Sequence, residues 1–276
     1  MNLVVQGPEL SRKQVDDLAG VVKPASMEQI AERAFRLLTP SNRAAIEAWC
    51  EAHRADHAWI EHRRRFADLK LLAMDMDSTL ITIECIDELG DLAGKKAEVA
   101  AITAQAMRGE IDYPESLRRR VSLLAGLPVA GLERVYRERL KLTPGAQALI
   151  SMCKKNNVKL LLVSGGFTFF TERLKERLGL DYTLSNTLEV EHDRLTGKLL
   201  GDIVGAEAKA QRFLQVAKNL GIGKAQTLAI GDGANDLKMM KEAGLSIAFH
   251  AKPVVRAQAD YALNFSGLDG VLNLFD

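Results

Sequence analysis

Residues 69–276 contain short apolar runs that alternate with segments of helical periodicity. Each run is almost continuously apolar, and most end in a polar or glycine-rich loop; they cover 69–74, 158–163, 226–230, 246–249 and 261–263. Such runs are typical of strands buried on both faces of a parallel sheet. Helical patterns occupy the intervals at 146–156, 168–178, 206–220 and 235–243. The chain therefore predicts an α/β fold built on a Rossmann-like, doubly wound, mostly parallel sheet with right-handed crossovers.

Two long intervals interrupt this alternation. Residues 75–157 separate the first run from the second, far more than a strand–helix connection needs. They carry helical patterns at 86–93, 96–107, 114–125 and 132–140. The simplest interpretation is a helical cap inserted at about 84–141. The second interval, around residues 187–200, predicts a β-hairpin.

The first 66 residues follow a different pattern. Strands are predicted at 3–5, 27–30, 35–38 and 57–60, one helix runs from a Ser11 cap to about residue 21, and a second begins at Ser41. The order βαββαβ is that of a ferredoxin-like unit, which predicts a small α+β domain at 1–66 and a larger one at 67–276. An all-helical segment at 25–54 is the alternative. The charged stretch 61–69, with its basic run 62–65, favours a solvated linker over an anion-binding site.

Composition and charge narrow the classes of function. The chain has 276 residues, of which 47% are hydrophobic and 26% charged, and its net charge of +1 supplies no strong field for nucleic acid. The apolar runs are too short to cross a membrane, and the N-terminus lacks the features of a signal peptide. Cys50, Cys85 and Cys153 lie far apart and indicate reduced thiols. We expect a cytoplasmic protein without a nucleic-acid or membrane partner.

Polar side chains follow three of the predicted strands and begin the helix before the third core strand. They are Asp75, Asp77, Ser164, Lys209, Asp232, Asn235 and Asp236. Carboxyl ends of parallel strands meet at one edge of a sheet, so these groups should converge there. Clustered carboxylates repel one another unless a cation neutralises them, and oxygen ligands suit Mg²⁺. Mg²⁺ beside a lysine would hold a phosphoryl group. Residues 75–79 alone would also suit a turn or a helix cap.

Taken together, these segments resemble the motifs of the haloacid dehalogenase superfamily. The resemblance rests on Asp75-Met-Asp-Ser-Thr, Ser164-Gly-Gly-Phe, Lys209 and Gly231-Asp-Gly-Ala-Asn-Asp, and it covers residues 69–276. Within the superfamily, residues 84–88 and 117–121 are similar to the phosphoserine phosphatases. Tyr113 stands where that family often has Phe. The N-terminal region resembles the degenerate ACT-like domain attached to some members.

The resemblance implies an aspartyl-phosphate mechanism. Asp75 would be the nucleophile, and Asp77 would protonate the leaving oxygen and later deprotonate water. Mg²⁺ would be held by Asp75, the backbone carbonyl of Asp77, and Asp232. Asp236 would orient Lys209 or metal-bound water. The implied reaction is the hydrolysis of O-phospho-L-serine, the last step of serine biosynthesis.

The resemblance also implies a set of substrate contacts. Glu84 would hold the substrate ammonium and Arg120 its carboxylate. From spacing alone, each is more simply explained as a helix-start charge or a solvated arginine. Further contacts would come from Ser164, Gly165, Lys209 and Asn235.

Two alternatives stay open. One is the same fold acting on another small phosphomonoester, or passing the phosphoryl group to an alcohol. The other is a regulatory module built on an inactive phosphatase, against which the intact Asp75, Asp77, Lys209 and Asp232 argue. Residues 231–236 lack the third glycine of a dinucleotide motif. The N-terminal region has an apolar face through Val4, Ile46 and Trp49, which predicts packing on the larger domain or on a second subunit, as in a homodimer.

Overall fold

The strands of the chain form two sheets. The structure, a computed structural model, describes residues 2–60 and 64–276. Across these residues the strands are β1 (Asn2–Gln6), β2 (Ser26–Ala31), β3 (Ala34–Leu38), β4 (Asp56–Ile60), β5 (Leu71–Met74), β6 (Lys159–Phe167), β7 (Tyr182–Glu191), β8 (Arg194–Leu200), β9 (Thr227–Gly231), β10 (Leu245–Phe249) and β11 (Tyr261–Leu263).

Ten of the helices overlap intervals that the sequence periodicity predicts, and the last one, Pro253–Arg256, was not predicted. The helices are α1 (Arg12–Val22), α2 (Arg43–Ala52), α3 (Cys85–Leu92), α4 (Lys96–Met107), α5 (Tyr113–Ser122), α6 (Val129–Arg134), α7 (Ala146–Lys155), α8 (Thr168–Leu178), α9 (Ala206–Asn219), α10 (Leu237–Glu242) and α11 (Pro253–Arg256). A run of 3-10 turns covers Leu268–Leu274 near the C-terminus.

The larger sheet has seven strands in the order β11-β10-β9-β5-β6-β7-β8. All neighbouring pairs are parallel except β7 and β8, which are antiparallel. The predicted mostly parallel α/β sheet is therefore confirmed. Strand β5 lies between β6 and β9. The chain therefore adds β6, β7 and β8 on one side of β5 and later adds β9, β10 and β11 on its other side. This reversal opens a crevice at the carboxyl ends of these three strands.

Both faces of the central strands β5, β9 and β10 are buried, which explains their continuous apolar runs. Side chains alternate along β5, so Leu71 and Ala73 pack against α9 and α10, while Leu72 and Met74 face the opposite cluster. All four are at most 2% exposed. A strand in this position cannot show a polar face in its sequence.

The inserted helices and the hairpin contact each other. Helices α3 to α6 lie between β5 and β6 in the chain, as predicted, and the Gly126 N–H after α5 donates to the carbonyl of Leu195 in β8 at 2.8 Å. The hairpin differs from the prediction because β7 already begins at Tyr182 and pairs in parallel with β6. It is thus a continuation of the main sheet. The cap boundaries at about 84–141 stay a prediction.

The N-terminal residues form a four-stranded antiparallel sheet with the predicted order of elements. Its strands lie in the order β2-β3-β1-β4. The all-helical alternative at 25–54 is wrong, since β2 and β3 occupy it. Helix α2 is capped by Asn42, whose Oδ1 accepts from the Ala45 N–H, because the predicted cap Ser41 donates its hydroxyl to Val22 instead. The ACT-like assignment and the boundary at 66/67 stay predictions.

The two faces of this small sheet are buried against different neighbours. Leu3 and Val5 pack under α1 and α2, whereas Val4, Ala58 and Ile60 join the core cluster of the larger sheet. The sequence prediction placed Val4 on one face with Ile46 and Trp49, which is wrong because neighbouring strand residues point to opposite faces. Contact with the larger part of the chain therefore covers the second face.

The predicted linker is only partly described. Residues 61–63, which include half of the basic run, lie outside the described residues. Beyond them, Arg64 donates from Nη1 to the carbonyl of Gly244 at 2.9 Å, and Phe66 is 6% exposed. Arg64, Phe66 and Leu69 therefore contact the core, whereas Arg65, Ala67 and Asp68 are exposed, so only part of the stretch is solvated. Cys50, Cys85 and Cys153 are buried free thiols, in agreement with the prediction. No helix among the described residues is long and apolar enough to cross a membrane.

Candidate active site

A cavity of about 160 Å³ lies at the carboxyl ends of β5, β6 and β9, next to the inserted helices. Seven of the ten predicted site residues line it: Asp75, Asp77, Glu84, Arg120, Gly165, Asp232 and Asn235. The other three, Ser164, Lys209 and Asp236, are fully buried. The residues that the sequence places at separate strand ends therefore converge on one cavity.

The loop after β5 determines where the carboxylates of Asp75 and Asp77 point. Asp75 continues the strand pairing by donating its N–H to the carbonyl of Ile230, and its Oδ1 accepts from the Met76 N–H at 2.7 Å. The chain then turns tightly through Ser78, which has a φ of +55°. This turn directs Asp77 to the start of α3, where its Oδ1 accepts from the Cys85 N–H at 3.0 Å.

Lys209 forms a buried ion pair with two carboxylates. Its Nζ lies 2.9 Å from Asp75 Oδ1 and 2.8 Å from Asp236 Oδ1. Burial alone would lower the Lys209 pKa, but Asp236 and Asp75 outweigh it and raise that pKa above its ordinary value. Asp236 also accepts from the Gly233 N–H at 3.1 Å. Lys209 therefore stays charged, and Asp236 holds it in place beside Asp75.

Three carboxylates are close enough to bind one metal ion. Oxygen atoms of Asp75, Asp232 and Asp236 lie within 4.8 Å of one another. Burial, followed by the charge of Asp236, raises the pKa of Asp75 well above its ordinary range and that of Asp232 to about 6. Such mutual repulsion is what a bound cation would relieve, and an all-oxygen set suits a hard divalent ion. The residues present therefore fit a metal of this kind.

The pKa of Asp77 is raised to about 7, first by burial and then by the charge of Glu84. Its carboxylate is not part of the metal-binding cluster. A carboxyl group with this pKa is present in both protonation states near neutral pH, so it can donate as well as accept a proton.

The end of β6 brings backbone close to these carboxylates. The sequence prediction ended this strand at Val163, but β6 runs on to Phe167. A Cβ atom on Gly166 would lie 2.7 Å from Asp77 Oδ2 and 3.0 Å from Ser164 Oγ, so any larger residue would have to displace these side chains. Ser164 accepts from the Gly166 N–H at 2.8 Å. The glycine pair thus lets the strand backbone reach the cavity.

The inserted helices form the wall of the cavity that faces the strand ends. Glu84 precedes α3 and accepts from the Ser78 hydroxyl at 2.7 Å. Arg120 lies on α5, the helix that begins at Tyr113, and Tyr113 donates its hydroxyl to the Gly165 carbonyl at 3.2 Å. Shielding from water raises the Glu84 pKa, while Ser78 and the nearby Arg120 and Lys252 oppose the rise. An acidic and a basic group therefore face the same small cavity.

Sequence reasoning missed several residues at the site. Thr79 donates its hydroxyl to Asp232 at 3.1 Å, and Asn186 of β7 donates to the Gly165 carbonyl at 2.8 Å. Lys252, before α11, also lines the cavity. Thr79 belongs to the motif at residues 75–79 but was given no role, whereas Asn186 and Lys252 carried no signal in the sequence.

The chain is similar in sequence to known proteins. The haloacid dehalogenase-like hydrolase family matches residues 72–241 of the chain. The chain is 58% identical over 215 residues to a phosphoserine phosphatase of Polaromonas sp., covering 76% of this chain and 91% of that protein. It is 46% identical to a phosphoserine phosphatase of Vibrio cholerae, covering 82% of this chain and 69% of the relative.

Solved structures are similar over the whole length. The unliganded crystal structure of a probable phosphoserine phosphatase from Vibrio cholerae has a TM-score of 0.85 and 40% identity, covering 99% of this chain and 85% of that chain. A hydrolase of the same family from Salmonella enterica serovar Typhi has a TM-score of 0.88 and 31% identity, covering 100% and 99% of the two chains. The chain therefore belongs to the haloacid dehalogenase-like hydrolases and is similar to the phosphoserine phosphatases among them.

Proposed function

We propose that the chain hydrolyses O-phospho-L-serine to L-serine and phosphate through an aspartyl-phosphate on Asp75. The observation that carries the proposal is one cavity in which Asp75, buried beside Lys209, lies near Asp77, whose pKa is about 7. The phosphoserine phosphatases among the similar proteins give the substrate. In a cell this reaction would complete serine biosynthesis.

In the first step, an oxygen of Asp75 attacks phosphorus and the bond from phosphorus to the serine oxygen breaks. Asp77 donates its proton to that oxygen, so serine leaves as a neutral alcohol. In the second step, water attacks the phosphorus, Asp77 takes the water proton, and the Asp75 carboxylate is restored. Burial raises the pKa of Asp75, and the Lys209 ammonium opposes this and favours the ionised nucleophile.

The substrate ends are held by different parts of the site. Ser164 and Lys209 would bind phosphoryl oxygens, since the Lys209 ammonium lies next to Asp75 and the buried Ser164 hydroxyl lies at the end of β6 beside Gly166. Glu84 would bind the ammonium and Arg120 the carboxylate from the side of the inserted helices. Gly165 and Asn235 would add contacts from the ends of β6 and β9.

The metal we propose is Mg²⁺, held by Asp75, Asp232 and the backbone carbonyl of Asp77. When bound, it supplies positive charge that offsets the clustered carboxylates and the phosphoryl oxygens. Asp236 would keep Lys209 in place, because both its oxygens already accept hydrogen bonds from Lys209 and Gly233.

We further propose that residues 1–66 form an ACT-like accessory domain, that 67–276 form the catalytic domain, and that the inserted helices cap the site. The protein would act in the cytoplasm on a small-molecule substrate, without nucleic acid or membrane, and a homodimer is compatible with this arrangement. The proposed activity is tested by measuring phosphate release from L-phosphoserine and from a panel of other phosphomonoesters, with and without acceptor alcohols. Preference for phosphoserine and transfer to water are expected.

A further inference from the structure

Lys252 is a cation at the active-site cavity to which the sequence motifs give no function. It follows β10 and directly precedes α11, and its backbone N–H donates to the carbonyl of Asp232 at 3.3 Å. It lines the same cavity as Glu84 and Arg120. Its backbone is thus fixed on the sheet side of the site, close to a proposed metal ligand.

The Lys252 side chain extends from the sheet towards the inserted helices. Its Nζ lies 3.1 Å from the sulfur of Met107, at the end of α4. A thioether is a weak acceptor. Within the described ranges 2–60 and 64–276, no carboxylate lies within 4.0 Å of this ammonium, whereas the exposed Lys238 is paired with Glu207 at 2.6 Å. Lys252 therefore forms no ion pair within 4.0 Å among the described residues, although it lies at the cavity with an exposed side chain.

Arg120, on the opposite side of the cavity, likewise forms no ion pair among the described residues. The hydrogen bond of its guanidinium is a long one, 3.4 Å from Nε to the Ser116 carbonyl within its own helix. Both cations line the same cavity as Glu84 and lower its pKa, as expected of positive charges at that end of the cavity. The cation that acts on Asp75 and Asp77, at the phosphoryl end, is Lys209.

We propose that Lys252 is a substrate-binding residue that holds the carboxylate of the substrate from the sheet side while Arg120 holds it from the inserted helices. The inference rests on the proposed function, since it needs a substrate with a carboxylate beside its phosphate. A carboxylate accepts about four hydrogen bonds, so it can take both cations at once. The ammonium would exchange a weak thioether contact for a charged acceptor, which is a stronger bond. A substrate bound in this way would link the sheet to the inserted helices.

Two substrates that differ only in the carboxylate test the proposal. L-Phosphoserine and O-phosphoethanolamine share the phosphate and the ammonium, but the second lacks the carboxylate. Lys252→Met keeps most of the side-chain length and removes the charge. We expect it to raise KM for phosphoserine about three- to tenfold and to change kcat less than about twofold, as for loss of a partly exposed ion pair. The kcat/KM for phosphoethanolamine should change by less than about twofold.

Two more variants distinguish the effect of the Lys252 charge from a structural effect of the substitution. Lys252→Arg should restore KM for phosphoserine, since it returns a cation of similar reach. Lys238→Met removes an exposed lysine that does not line the cavity, and it should leave KM and kcat for both substrates unchanged. Equal losses on both substrates, or no loss on phosphoserine, would overturn the proposal. Failure of the proposed function would look different, because the wild-type protein itself would then not prefer phosphoserine to phosphoethanolamine.

Discussion

The ammonium of Lys209 lies 2.9 Å from a carboxylate oxygen of Asp75, and the two side chains are only 0% and 8% exposed. In a pair so far from water, each charge is stabilised by the opposite charge of its partner, because water cannot solvate it instead. Asp236 completes the group at 2.8 Å from the same nitrogen. The proposed nucleophile is therefore held by a buried network of charges, and stability and activity are coupled there.

Lys209→Met should destabilise the fold as well as abolish activity. The change leaves two carboxylates without their cation, and removal of one partner of a buried pair costs about 3–5 kcal/mol. Urea denaturation of the metal-free protein measures the free energy of unfolding. The double variant Lys209→Met/Asp236→Asn removes one of the orphaned charges and should recover part of the loss. A single variant as stable as the wild type would contradict this description of the network.

Asp75→Asn should abolish turnover and leave the fold intact. The amide keeps the shape of the side chain but cannot attack phosphorus, and Lys209 keeps Asp236 as a partner. Phosphate release should fall by many orders of magnitude, while the thermal unfolding curve keeps its cooperativity. Asp193→Asn, at the exposed turn between β7 and β8, is the matched control and should have wild-type activity. Turnover by Asp75→Asn within about tenfold of wild type would exclude an aspartyl-phosphate.

Arg120→Ala should discriminate between substrates. Phosphoserine has a carboxylate for this guanidinium, and p-nitrophenyl phosphate has none. Loss of a charged hydrogen bond worth about 1.5–3 kcal/mol should lower kcat/KM for phosphoserine roughly ten- to a hundredfold, with a smaller effect on the aryl substrate. The control is Arg119→Ala, whose side chain points to solvent and pairs with Glu115. Equal losses on both substrates would make Arg120 a structural residue.

Asp56→Ala should loosen the contact between the two sheets without affecting catalysis. The Asp56 carboxylate accepts from three successive backbone N–H groups, those of Asn264, Phe265 and Ser266, at 2.5 to 3.2 Å. Unsatisfied buried donors cost about 1–3 kcal/mol each, so the free energy of unfolding should fall by at least that amount. The kcat for phosphoserine should stay within about twofold, since Asp56 does not line the active-site cavity.

The exposed Asp16, which pairs with Arg12 on α1, is the control for this change. Asp16→Ala should lower stability by less than about 1 kcal/mol. A loss of activity in Asp56→Ala with unchanged stability would contradict the expectation and would indicate that the N-terminal residues shape the active site.

The sequence predicted the central sheet and the cavity for one physical reason. Buried parallel strands read as continuous apolar runs, and their carboxyl ends meet at one edge, so the residues after each run converge without further information. Asp75, Ser164 and Asp232 could be placed in this way. The same reasoning could not show the face to which a fully buried residue such as Val4 points, because a strand buried on both sides has no polar alternation.

Contacts between residues that are far apart in the chain could not be predicted from the sequence either. The extension of β6 to Phe167 accompanies the bond from Asn186 to the Gly165 carbonyl, which only the fold creates. Ser41 and Asn42 are both good capping residues, and the choice between them follows from the bond of Ser41 to Val22. Lys252 gains its place at the cavity from the position of β10 beside β9.

Phosphate release from L-phosphoserine by the full chain, assayed with Mg²⁺ and with excess chelator, tests the central claim most directly. The cluster of Asp75, Asp232 and Asp236, with pKa values raised by burial and mutual repulsion for Asp75 and Asp232, needs a cation to act on an anionic substrate. We predict saturable release with Mg²⁺, loss of release with chelator, and recovery when Mg²⁺ is added back. A folded protein that releases no phosphate with Mg²⁺, or releases it equally in the presence of chelator, would contradict the account.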